Sequence, residues 1–154
     1  MRKALAQTLV MLLLAAQAWA FTGRVENVHD GDTVTVDGRR VRLHGIDAPE
    51  LAQPGGERSR EFLEALVLGR QVRVTPKDRD DYGRIVGVVV LPEGLDVNAE
   101  MVKAGHAWVY SKYCRGCYGL KLAQASARMR GLGLWSEPGP IPPWQWRKTH
   151  RRHK

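Results

Sequence analysis

Carboxylates and guanidiniums recur in three short segments of this chain: Asp30-Gly31-Asp32-Thr33, Arg42-Leu43-His44-Gly45-Ile46-Asp47-Ala48-Pro49-Glu50 and Tyr82-Gly83-Arg84. Asp32 and Asp47 are candidate ligands for a hard divalent cation, which prefers oxygen donors to nitrogen or sulfur. Glu50 lies three residues after Asp47, across a proline. An irregular turn there can aim it at water, either to orient that water or to accept its proton. Arg42 and Arg84 carry the planar fork that matches phosphate oxygens in two-point contact and can stabilise charge that develops during attack. Cation, base and two arginines together are the parts required for phosphodiester hydrolysis. Each segment alone has a plainer explanation: Asp and Gly form turns, strand arginines form surface ion pairs, and a glutamate after proline is commonly solvated. Their occurrence together points to chemistry.

The elements around these residues must bring them to one place. Thr33-Val34-Thr35-Val36 alternates as a half-buried strand does, Asp37-Gly38 is a tight-turn pair, and residues 39–46 return as the partner strand. In that register Val36 faces Arg39, Val34 faces Val41 and Thr33 faces Arg42, so Arg42 comes back beside the first acidic segment. Residues 58–68 form a helix with Phe62, Leu63, Leu66 and Val67 on one face, stopped by Gly69. Residues 71–75 and 84–91 read as further strands joined by a polar loop that includes residues 77–83. Residues 97–104 and 120–130 read as two more helices, ended by Gly105 and Gly131. Five short strands with interposed helices fit a small closed barrel, which holds loops from separate strands over one cavity without open edges. The fold class is therefore mainly β with helices, α+β. Residues 137–143, Glu-Pro-Gly-Pro-Ile-Pro-Pro, cannot continue a helix or enter a sheet. The expectation is an extended surface strap over residues 138–154, ending in a mobile basic tail from Arg147 to Lys154.

The order and spacing of these segments, from about Thr22 to about Glu137, resemble the staphylococcal nuclease family. The resemblance implies a five-stranded OB-fold barrel flanked by three α-helices, occupying residues 21–137. It implies Ca²⁺ as the cation, held by Asp32, Asp47 and the backbone carbonyl of Ala48. It also implies in-line attack by water with the 5′ oxygen leaving, on DNA and RNA alike, with single strands favoured. Tyr82 and Tyr113 stand where the family places tyrosines near the nucleotide, the first at a terminal phosphate and the second at the ribose or base. Packing is an equal alternative for Tyr113. Two positions depart from the best-known member: Ala48 replaces a threonine, and Asp81 replaces a lysine that contacts phosphate.

Residues 1–20 read as a cleaved secretory signal, with Arg2 and Lys3 before an apolar run and Ala18-Trp19-Ala20 at the cleavage point. An uncleaved anchor is the alternative, but the run falls short of the ~20 residues that span a bilayer. Loss of Arg2 and Lys3 lowers the formal charge from +8 to +6, so the remainder stays basic and suited to polyanions. Arg128, Arg130 and the basic ending fit either a diffuse attraction to a phosphate backbone or a solvated face. Cys114 and Cys117 are the only cysteines. An oxidising compartment makes a local disulfide the plainest expectation, ahead of a redox pair or a zinc site, for which the surroundings are wrong. His29 and His44 are assigned to packing or loop hydrogen bonds. The expected protein is thus an exported, monomeric nuclease without a retained membrane span. The alternative is an OB-fold module that binds nucleic acid or protein and has lost catalysis. Such a module would be expected to lack one or more of Asp32, Arg42, Asp47, Glu50 and Arg84, and all five are present.

Overall fold

The computed structural model describes residues 20–150. The expected signal peptide, apart from Ala20, and residues 151–154 of the basic tail lie outside the described residues. Among the described residues no helix is long and apolar enough to cross a membrane.

β1 (Phe21–Asp30), β2 (Thr33–Val36) and β3 (Arg39–Leu43) run as an antiparallel meander. Asp37 and Gly38, with φ of 44° and 72°, form the turn between β2 and β3, the left-handed pair whose twist matches that of the flanking strands. The carboxylates of Asp37 and Glu26 accept hydrogen bonds from the N–H groups of Arg24 (2.9 Å) and Gly38 (2.8 Å), tying this hairpin to β1. Val36 pairs with Arg39, Val34 with Val41 and Thr33 with Arg42, the register expected from alternation.

β5 (Gln71–Arg79) is antiparallel to both β1 and β6 (Ile85–Val90), while β6 lies parallel to β3. The barrel closes in the order β1-β2-β3-β6-β5. β1 shifts register at Val25/Asn27 and again at Val28/Asp30; such bulges bend a strand so that it can serve two neighbours in a barrel. β5 continues past its expected end at Thr75. Pro76 has no N–H to donate, so the pairing slips between Pro76 and Asp78 and then resumes. The polar loop is correspondingly shorter, beginning at Asp80.

Alternate residues of the strands fill the interior, among them Val25, Val34, Val36, Val41, Leu43, Val72, Val74 and Val89, all buried. α1 (Gly56–Val67) adds Leu63 and Val67, and α2 (Val97–Lys103) adds Val97, Met101 and Val102. Asp96 caps α2 by accepting from the Ala99 N–H at 3.0 Å. Buried Asn98 joins three segments: its Oδ1 accepts from the Val89 N–H (3.0 Å), and its Nδ2 donates to the carbonyls of His44 (2.9 Å) and Gly87 (3.2 Å). The chain leaving β3 is thereby fixed to β6 and to α2.

β4 (Ile46–Asp47) and β7 (Trp108–Val109) pair antiparallel as a separate small sheet that alternation did not reveal. α3 (Tyr118–Met129) follows the disulfide between Cys114 and Cys117, which is the local link expected from sequence. A short 3₁₀ turn (Gly133–Ser136) leads to residues 137–142, which run without helix or strand, as expected. The chain then departs from the expected strap and mobile tail by forming α4 (Pro143–Thr149). Pro143 occupies the first turn, where its missing N–H costs nothing, and the Pro142 carbonyl accepts from Gln145 (2.9 Å) and Trp146 (3.0 Å). Four α-helices therefore occur among the described residues, three on the barrel as expected and one beyond.

Candidate active site

The β2–β3 register carries Arg42 to the position opposite Thr33, directly after Asp32. Between Asp30 and Asp32, Gly31 lets two loops approach closely: a Cβ there would lie 2.7 Å from the Cβ atoms of both Ala48 and Ser59. Asp32 consequently reaches the segment that leaves β4, and its Oδ2 accepts from the Ala48 N–H at 3.0 Å. Asp47, in β4, is set by pairing with Trp108 of β7.

Arg42 ties the two aspartates together. Its Nη2 lies 3.2 Å from Asp32 Oδ2 and 2.9 Å from Asp47 Oδ1, and its Nη1 donates to the Ile46 carbonyl at 3.2 Å. Arg84, immediately before β6, joins through one hydroxyl: its Nη1 donates to Thr33 Oγ1 (3.3 Å), which donates to Asp32 Oδ1 (3.0 Å). The other side of Arg84 is held by Asp80, whose Oδ2 accepts from Nε at 2.7 Å. Asp80 Oδ1 accepts from the N–H groups of Tyr82 and Arg84 at 3.1 and 2.9 Å, so one carboxylate shapes the loop and aims the arginine. Glu50 is half-exposed, its N–H donating to Gln53 Oε1 at 3.3 Å and its carbonyl accepting from the Gln53 N–H at 2.8 Å.

A third guanidinium completes the network. Arg147 of α4 donates from Nη1 to Asp47 Oδ1 (3.2 Å) and Glu50 Oε1 (2.8 Å), and from Nη2 to Asp47 Oδ2 (2.7 Å). Arg147 is therefore not part of the expected mobile basic tail: it is held in a helix and ion-paired to Asp47 and Glu50. The signal that could have found it was Pro142-Pro143 as a helix start, with Trp144 and Arg147 one turn apart on one face.

The charges are strongly interdependent. Burial lifts the Asp30 carboxyl to about 6, and the neighbouring Asp32 pushes it in the same direction. Burial raises Asp47 as well; a hydrogen bond from Arg147 opposes that rise, and Asp32 adds to it. Burial works against the Arg42 charge, yet Asp32, Asp47 and Asp30 together hold its pKa above the ordinary value. Asp80 is pulled below the usual carboxylate range, its modest burial outweighed by hydrogen bonds from the Arg84 side chain and backbone.

One groove collects the arginines of this network and three tyrosines. Arg42, Arg84, Tyr82, Tyr113 and Arg147 line it, together with Tyr110, which sequence reading did not single out. Tyr82 is largely exposed, with its ring 5.4 Å from the Arg84 guanidinium. Tyr113 sits edge-on to Tyr110 at 5.1 Å, and Tyr110 stacks on Trp144 at 5.4 Å. Three aromatics within residues 108–113 were the available signal for Tyr110. His29 Nε2 is bonded to Thr35 Oγ1 at 2.8 Å, a hydrogen bond between β1 and β2 rather than within a loop. Asp81 is exposed on the loop beside Tyr82.

Among the described residues no three His, Cys, Asp or Glu side chains gather into a ready-made metal cage. The donors present nevertheless suit a hard cation, because two buried carboxylates converge on a single cationic nitrogen and the remaining candidates are oxygens of Glu50 and the backbone. Where Asp32 and Asp47 meet, the molecule is already arranged to hold positive charge.

A family profile described as "Staphylococcal nuclease homologue" matches residues 40–137. An "Uncharacterized endonuclease" of Escherichia coli is 48% identical, with 84% of this chain and 86% of the relative covered. "Protein ParB" of Escherichia coli is 43% identical over 97% of this chain and 92% of its own length. The "Micrococcal nuclease" of Shigella flexneri is 39% identical over 92% and 90% of the two chains. With the barrel, the paired aspartates, Arg42 and Arg84 in place, this likeness along most of both lengths means that the chain belongs to the staphylococcal nuclease family.

Proposed function

We propose that this protein is an exported, Ca²⁺-dependent nuclease that hydrolyses DNA and RNA with little sequence preference. As a member of the staphylococcal nuclease family it is a phosphodiester hydrolase, an endonuclease like its named relatives. The observation that carries the finer reading is the convergence of Asp32 and Asp47 on Arg42 within 3.2 Å, with Arg84 one hydroxyl away.

Asp32, Asp47 and the Ala48 carbonyl hold the cation, which when bound supplies positive charge to a phosphate oxygen and to nearby water. Glu50, on the turn after Pro49, orients the attacking water or takes its proton. Arg42 and Arg84 bind the scissile phosphate and stabilise the charge that builds on its equatorial oxygens. Tyr82 and Tyr113 contact the nucleotide, where stacking on an aromatic face tolerates any base. Water enters in line and the 5′ oxygen departs, giving 3′-phosphate and 5′-hydroxyl ends. Export is supported by the signal-like residues 1–20 and by the Cys114–Cys117 disulfide. The proposed active form is a monomer.

Incubation with denatured plasmid DNA tests this reading, comparing Ca²⁺ with chelator and wild type with Glu50→Gln. Cleavage by wild type only, and only with Ca²⁺, is expected. Tight binding without metal-dependent cleavage would assign the chain to nucleic-acid binding instead.

A further inference from the structure

Both carboxylate oxygens of Asp47 are engaged by guanidiniums, Oδ1 by Arg42 and Arg147 and Oδ2 by Arg147. Arg147 also holds Glu50 Oε1 at 2.8 Å. These are the oxygens that a divalent cation and its water would use. The guanidinium arrives on a helix with its own anchors. Trp144, one turn earlier, stacks on Tyr110 with ring planes 19° apart and meets Trp108 edge-on at 5.8 Å. Gln53 Nε2 donates to the Ile141 carbonyl at 2.6 Å, while Gln53 Oε1 accepts from the Glu50 N–H. The segment before α4 and the turn bearing Glu50 therefore share one holder.

We propose that Arg147 is an internal competitor for the cation: α4 seats its guanidinium on Asp47 and Glu50, and it must leave Asp47 before a divalent cation can take those oxygens. This rests on the cation reading above. If the closed arrangement predominates, the apparent affinity for the cation falls by the fraction of molecules that are open. Because Trp144 covers a face of Tyr110, the same departure bares an aromatic surface in the groove. Cation entry and exposure of that surface are then one coupled equilibrium.

The test is calorimetric titration of Ca²⁺ into the wild-type chain, Arg147→Met and Trp144→Ala at one ionic strength. Arg147→Met removes the competing charge while keeping a long side chain; Trp144→Ala keeps the charge and loosens the helix. Both variants should bind Ca²⁺ about tenfold more tightly than wild type. Equal affinity in all three overturns the competition and leaves the cation reading standing. Tighter binding by Arg147→Met with wild-type affinity in Trp144→Ala also overturns it, because charge alone would then act without displacement. Absence of Ca²⁺ binding in every chain overturns the competition and the cation reading together.

Discussion

Arg42 and Arg84 are both proposed to serve the phosphate, yet they stand in different surroundings. Arg42 is the counter-charge between two buried aspartates, whereas Arg84 pairs with Asp80 at a partly exposed position. Replacing either by alanine should leave nucleic-acid binding measurable and slow cleavage by about 10²- to 10³-fold. Only Arg42→Ala should also lower the melting temperature strongly, since removing one partner of a buried ion pair costs about 3–5 kcal/mol. Single-turnover cleavage and thermal denaturation of both variants check the contrast. Gly31 governs the same centre by being small. Its φ is not in the left-handed region, so space is the whole constraint, and a Cβ would fall 2.7 Å from Ala48 and Ser59. Gly31→Ala should cost about 1–3 kcal/mol, read as a lower urea midpoint, and should weaken Ca²⁺ binding by parting Asp32 from Ala48.

At the scale of elements, strand register does what proximity in sequence cannot. Pairing of Thr33 with Arg42 was legible because valines alternate on both arms of a hairpin whose turn is Asp37-Gly38. The β4–β7 pair was not legible, because two residues a side are too few for any period to show. Asn98 joins α2, β6 and the end of β3 through three hydrogen bonds. Asn98→Ala takes the side-chain partner from the Val89 N–H and the His44 carbonyl, while the Gly87 carbonyl keeps the His44 N–H at 2.8 Å. A loss of about 1–3 kcal/mol is expected, measured by chemical denaturation, with reduced cleavage because the segment preceding Asp47 loosens. α4 escaped the sequence reading for another reason. A seven-residue helix begun by proline is decided by what its aromatic face can pack on, and Tyr110 and Trp108 supply that surface only in the folded chain.

For the whole molecule, the balance of buried ionisable groups sets the response to pH. His106 stacks on Phe62 at 4.4 Å, and its Nδ1 has no hydrogen-bond partner among the described residues. Burial, reinforced by Arg58, holds its pKa below 6.5. The folded state therefore binds this proton less readily than the unfolded chain, so the contribution is complete above about 6.5 and is lost as pH falls toward the depressed folded value. Asp30 behaves oppositely, because its pKa near 6 makes protonation favour the fold. A variant isolates the histidine from that background. His106→Phe should gain stability relative to wild type as pH falls from about 7.5 to 5.5; urea midpoints that keep a constant difference across that range would discard the assignment.

By itself the sequence determined which chemical groups are available and how the local elements run: oxygen donors and forked cations in three segments, a valine-alternating hairpin, helices ended by glycine, and a cysteine pair close enough to join. Those properties depend on side-chain type and on periods of two or 3.6 residues, which a linear chain displays directly. Only the tertiary structure decided that Arg42 spans both aspartates, that Asp80 aims Arg84, and that Arg147 comes back across 100 residues to Asp47. Those contacts depend on barrel closure, on the room left by Gly31, and on an aromatic surface that α4 can cover. None of these exists until distant segments have packed together.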